Sequence, residues 1–136
     1  MANYFRQYIN GFSQVAAPLF KLTRKDAHWP ALEKTFPQDA LKAFNDLKTA
    51  IVSKPVLAYP NRKGKYTLMV DSEQGDANNA GGMGATLLQQ QNNGTTKPIG
   101  YASRQLYKYE QNYLSFLLEL GAAVFGGSTL IVRRPI

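Results

Sequence analysis

The chain has 136 residues, 44% hydrophobic and 18% charged, the balance of one globular domain or of a small domain with an appendage. It has no cysteine and a single histidine, His28, which excludes disulfide scaffolds, cysteine-based zinc sites and any mechanism that needs a histidine pair. The net charge of +7 sits at one end: residues 1–65 carry 11 basic and 4 acidic side chains, and residues 66–136 carry 5 of each.

A basic first half points to an anionic partner, nucleic acid being the commonest; the plainer reading is a soluble, lysine-rich surface. The longest apolar stretch, near Leu120–Gly127, is too short to span a membrane. The N-terminus lacks a basic region followed by an apolar core, so the expected location is intracellular, in cytoplasm or nucleus, with no membrane partner.

Residues 3–9 and 13–23 read as two short helices broken at Asn10-Gly11, with Ser13 able to cap the second and Pro18 inside it as a kink or a late start. Residues 24–36 read as a loop, where His28 beside Trp29 suits packing better than metal binding. A helix is predicted over 36–53. Thr35 and Gln38 form a capping box, and Leu41, Phe44, Leu47 and Ile51 recur on one face. Val56–Tyr59 reads as a short extended piece.

From Tyr66 the pattern changes to period two. Tyr66–Asp71, Ala85–Gln89 and Pro98–Ser103 read as three strands of an antiparallel meander, with Asn93-Gly94 as a hairpin signal. Gly81-Gly82-Met83-Gly84 has neither the lysine nor the following helix of a phosphate loop, and reads as a bulged hairpin turn. The last helix is predicted over 110–125, opened by Glu110 and ended at Gly126-Gly127. Its apolar face takes in Leu114, Leu117, Leu118, Val124 and Phe125, with Glu119 among them. Ser128–Val132 is a candidate fourth strand, reached by a right-handed crossover.

Asp71 ends the first strand on the face of Thr67 and Met69, and Glu119 lies mid-helix. If that helix packs on the sheet the two carboxylates converge, and paired oxygen donors suit Mg²⁺ or Mn²⁺. The competing reading has Glu119 facing solvent and Asp71 capping a turn.

Four segments, in order, carry a resemblance: YFRQYINGFSQVAAPLFKLTRKD, ALKAFNDLKTAIVSKPVLAYP, YTLMVDSEQGDANNAGGMGATLLQ and PIGYASRQLYKYEQNYLSFLLELGAAVFG. Together they resemble the stretch between polymerase thumb and ribonuclease H in the polyproteins of gypsy-like LTR retrotransposons. The resemblance implies an incomplete ribonuclease H-like fold of mixed α/β class over residues 36–136, preceded at 1–35 by the tail of the thumb and connection region. It implies metal-dependent hydrolysis of RNA in an RNA–DNA hybrid, within a reverse transcriptase that is an RNA-directed DNA polymerase. The partners it implies are nucleic acid and the rest of the polyprotein, polymerase palm and integrase.

Asp71 and Glu119 match the family's first two acidic metal ligands, and Mg²⁺ or Mn²⁺ is the implied cofactor. No Asp or Glu follows Glu119, so the later ligands have no counterpart. A strand over 128–132 puts Arg133 near the third of those positions. Candidate nucleic-acid contacts are Lys21, Arg24, Lys25, Lys48, Lys54, Arg62, Lys63, Lys65, Ser72 and Arg104. The alternative is a non-catalytic nucleic-acid-binding or assembly remnant of the same element, domesticated or relic.

Overall fold

The computed structural model describes residues 6, 9–26, 36–53 and 56–132. The expectations over residues 3–5, 7–8 and 27–35, including His28, Trp29 and Thr35, and those on Lys54 and Arg133, lie outside them. The chain forms two compact units, Met1–Leu57 and Ala58–Ile136.

The first unit pairs α1 (Phe12–Lys21) with α2 (Gln38–Val52). Gly11 precedes α1 at φ 65°, the left-handed conformation that glycine adopts without steric cost, so it stands where Ser13 was expected to cap. Pro18 is inside the helix. The buried face of α2 is Ala40, Ala43 and Leu47, whereas Leu41 and Phe44 are exposed. Leu47 is buried as expected, while in the first half of the helix the buried face is one residue earlier than the large side chains suggested. Ala16 of α1 is buried as well, and small side chains let two helix axes approach closely.

In the second unit, β1 (Tyr66–Gln74), β2 (Gly81–Gln90) and β3 (Thr96–Gln105) make an antiparallel sheet in that order, with β2 central. The ladder between β1 and β2 runs unbroken from Tyr66↔Gln89 to Gln74↔Gly81, so the glycines at 81, 82 and 84 are strand residues and not a hairpin turn. Gly81, at φ 74°, is the position whose backbone demands glycine. One shift in register falls at Leu87/Leu88 against β3. Val56–Tyr59 forms no strand; the Ala58 N–H is donated to the Pro98 carbonyl at 2.9 Å.

The last helix starts later than the pattern predicted. Glu110–Asn112 is a separate 3₁₀ turn, and α3 spans Ser115–Gly126. The chain does not leave the helix at Gly126-Gly127: residues Gly127–Val132 continue as a π-helical turn, and no fourth strand forms among the described residues.

The reason is packing. Leu118, Ala122, Gly126 and Leu130 follow one another at intervals of four, and all four are buried. Leu118 and Ala122 pack with Met83 and Leu106, and Leu130 with Ala85, Leu87 and Ile99. This burial outweighs the strand preference of the β-branched run. The face read from the sequence is therefore only partly the core face: Leu114, Leu117 and Val124 are exposed. Without a fourth strand, β1 is an edge of the sheet, and the parallel strand on which the placement of Arg133 rested is not made.

Candidate functional site

β1 alternates. Leu68 and Val70 pack into the core beneath α3, so Ser72 and Gln74, two and four residues beyond Val70, share that face. Asp71 stands on the opposite face of the strand with Met69 and Thr67. Both β1 residues on the helix side are used. The Ser72 hydroxyl donates to Glu119 Oε1 at 2.7 Å, and the Gln74 side-chain amide donates to the Tyr113 carbonyl at 3.3 Å.

Glu119 therefore lies over β1, exposed, with the Ser72 hydroxyl as its partner. Among the described residues the Asp71 carboxylate makes no hydrogen bond or ion pair, and no three His, Cys, Asp or Glu side chains are grouped closely enough to hold a metal ion. Glu119 thus lies over one face of β1, and Asp71 stands on the other.

Arg104 lies on β3 and is committed to the fold. Its guanidinium holds Glu110 in a bidentate pair, Nη1–Oε1 2.7 Å and Nη2–Oε2 3.0 Å, and sits 4.3 Å from the centroid of Tyr107. Glu110 is only 6% exposed and also accepts the Tyr107 N–H at 2.7 Å. The Arg104 hydrogen bonds hold the Glu110 carboxyl below its ordinary value, against the opposing effect of burial.

The basic candidates are distributed over both units. In the first, Lys21, Arg24, Lys25 and Lys48 are exposed, Lys48 lying over the Phe44 ring at 4.8 Å. In the second, Arg62, Lys63 and Lys65 are exposed on the loop that leads into β1. This loop is rigidly built. Asn61 Oδ1 accepts the N–H groups of Lys63 and Gly64, at 3.0 and 2.6 Å, an Asx turn. Gln89, fully buried on β2, accepts the Asn61 N–H at 2.8 Å and donates to the carbonyls of Asn61 and Gly64.

A Cβ on Gly64 would meet the Gln90 carbonyl oxygen, so only glycine closes the turn. Sequence reasoning found the lysines and missed their support. The Asn61-Arg62-Lys63-Gly64 run carried a turn signal, whereas nothing local marked Gln89.

The model of an RNase H-like domain found in reverse transcriptase matches residues 36–130. The chain belongs to that family. It is 33% identical over 131 residues to the retrovirus-related Pol polyprotein from transposon opus of Drosophila melanogaster, covering 92% of this chain and 12% of the relative. It is 32% identical over 105 residues to the Pol polyprotein of feline endogenous virus ECE1, covering 77% of this chain and 9% of that protein. The Gag-Pol polyprotein of feline leukemia virus is 31% identical over the same length, of which 5% is covered.

The chain thus spans about a tenth or less of the curated relatives it matches. As a retroelement RNase H-like segment it contributes a mixed α/β unit with the three-stranded meander at its centre. No helix among its described residues is long and apolar enough to cross a membrane.

Proposed function

We propose that this segment grips an RNA–DNA hybrid, or another nucleic acid, through its phosphates and does not cleave it unaided. In this reading residues 1–35 are the tail of the thumb and connection region and residues 36–136 an incomplete ribonuclease H-like domain. The partner is the rest of the Pol polyprotein, with its polymerase palm and integrase.

The observation that carries the reading is the pairing of Glu119 with Ser72 while Asp71 stands across the strand. Asp71 and Glu119 are the carboxylates that match the family's Mg²⁺ or Mn²⁺ ligands; in this reading, on opposite faces of β1, they do not hold two divalent ions unaided. What the described residues do supply is exposed cations on each unit by itself: Lys21, Arg24, Lys25 and Lys48 on the first, and Arg62, Lys63 and Lys65 on the second. Lysine and arginine held at phosphate positions give affinity without sequence preference. Lys54 belongs to the same set by sequence.

The test is the purified chain with an RNA–DNA hybrid in millimolar Mg²⁺ or Mn²⁺, beside Asp71→Asn. The expected result is retention of the hybrid with no cleavage above background in either protein. Robust cleavage that vanishes in Asp71→Asn would overturn the non-cleaving reading. It would give the chain the family's hydrolysis of the RNA strand.

A further inference from the structure

Between β3 and α3 the chain lays out three tyrosines in contact with one another. Tyr107 and Tyr109 stack at 5.6 Å between ring centroids with an interplanar angle of 24°. Tyr113 meets Tyr109 edge-on at 6.2 Å and 60°. All three are exposed, Tyr107 54%, Tyr109 63% and Tyr113 39%. Ring–ring contact accounts for part of the clustering, but three large rings left exposed side by side form an aromatic patch of the kind that marks a binding surface.

The base of the patch is fixed. Arg104 lies against Tyr107, Glu110 holds Arg104, and the Tyr107 N–H is donated to Glu110. Its far end is tied to the sheet through the Gln74 bond to the Tyr113 carbonyl. Gln74 is two residues beyond Ser72 on the same face of β1, about 7 Å along the strand. The segment that carries the rings is therefore tied to β1 two residues beyond the place where Ser72 meets Glu119.

We propose that Tyr107, Tyr109 and Tyr113 form a stacking platform for unpaired bases of single-stranded nucleic acid passing the Ser72–Glu119 site. The rings already touch one another, so a base does not enter between them; it stacks on the outer, exposed surface of the set, of which Tyr109 offers most. Bases within a duplex are stacked on their neighbours and cannot present a face, so the platform selects single strands or frayed ends.

Lys108, exposed between Tyr107 and Tyr109, supplies a cation beside the platform for the phosphate of the stacked nucleotide. A tyrosine ring tolerates every base, because each has a π-face. This inference rests on the nucleic-acid reading above but concerns a different contact from the phosphate grip.

The test compares the full chain with Tyr109→Ala and Tyr109→Phe, on a labelled single-stranded oligonucleotide and on a blunt RNA–DNA hybrid at one salt concentration. Circular dichroism checks that each variant is folded. Tyr109→Ala is expected to weaken single-strand binding about tenfold, the loss of one stacked base. Tyr109→Phe, which keeps the ring, is expected to bind as the parent does, and hybrid affinity is expected to be the same in all three.

Single-strand affinity indifferent to Tyr109→Ala would overturn the platform and leave the rings as a protein-docking surface. An equal loss on hybrid and single strand would overturn it as well. Hybrid binding without single-strand binding would sink the platform alone. Single-strand binding that depends on Tyr109, without hybrid binding, would sink the phosphate-grip reading alone.

Discussion

Replacing Glu110 by alanine is expected to cost roughly 2–4 kcal/mol of folding stability, because it strips a partly buried guanidinium of its counter-charge and the Tyr107 N–H of its acceptor. The carboxylate is only 6% exposed and makes three hydrogen bonds, two to Arg104 and one to Tyr107. Arg104→Met, which removes the other partner, is expected to cost a similar amount. The double variant should lose much less than the sum of the two, since a buried pair replaced by apolar groups leaves no orphaned charge.

The pair also sets a pH dependence. The folded Glu110 carboxyl titrates below its ordinary value of 4.5, chiefly through its hydrogen bonds to Arg104. A depressed carboxyl contributes stability that is complete above the unfolded value and is lost as pH falls through the folded one. The parent is therefore expected to lose stability as pH drops below about 4.5, and Glu110→Gln to lack this component. Urea unfolding across that range measures it. An equal pH slope in the two proteins would show that the ion pair does not stabilise the fold.

Gly126→Val is expected to destabilise the second unit by about 3 kcal/mol, and Gly126→Ala by about 1–2 kcal/mol. A Cβ at this position would lie 2.7 Å from the Ala85 Cβ and 3.3 Å from a Leu68 methyl. The Ala85 atom is bonded directly to the strand backbone and cannot rotate away, so α3 must lift from β2. Lifting it would pull Leu130 from its cluster with Ala85, Leu87 and Ile99.

Alanine gains about 1 kcal/mol in helix propensity over glycine, which the clash more than cancels. Pairing Gly126→Ala with Ala85→Gly is expected to recover most of the loss. A Gly126→Ala protein at least as stable as the parent in chemical denaturation would mean that the helix does not cross the strand there.

Gly126 also shows why part of this fold could not be read from the chain. A glycine pair after an apolar helix ordinarily marks a stop, and Thr129–Val132 has the composition of a strand. The choice was made by a contact 41 positions away in sequence, Gly126 against Ala85. Local periodicity carries no trace of it.

The first strand was legible because α3 covers one of its faces, which writes a period of two into residues 66–71, and β2 because its middle, Ala85–Gln89, is buried on both faces. Their ends were not, because Gly81–Gly84 pairs through backbone alone. In α2 the large residues drew the eye to Leu41 and Phe44, while close helix packing selected Ala40 and Ala43. Of the candidate site, the mid-helix position of Glu119 followed from the pattern, whereas Asp71, expected to end the strand, lies within it, because the ladder to β2 runs on to Gln74. Their separation followed from which face of β1 the helix covers, and that is decided by Leu68 and Val70 together with the rest of the core.

Titrating a labelled RNA–DNA hybrid with the full chain over a range of salt, reading anisotropy, tests the phosphate grip on nucleic acid. Log affinity is expected to fall linearly with log salt between about 50 and about 200 mM, and removing one phosphate contact, as in Lys63→Ala, is expected to lower the slope by about 0.9. Exchanging the hybrid's sequence should leave both quantities unchanged. An affinity that does not move with salt, or a slope that Lys63→Ala and the other lysine variants leave untouched, would contradict the phosphate grip.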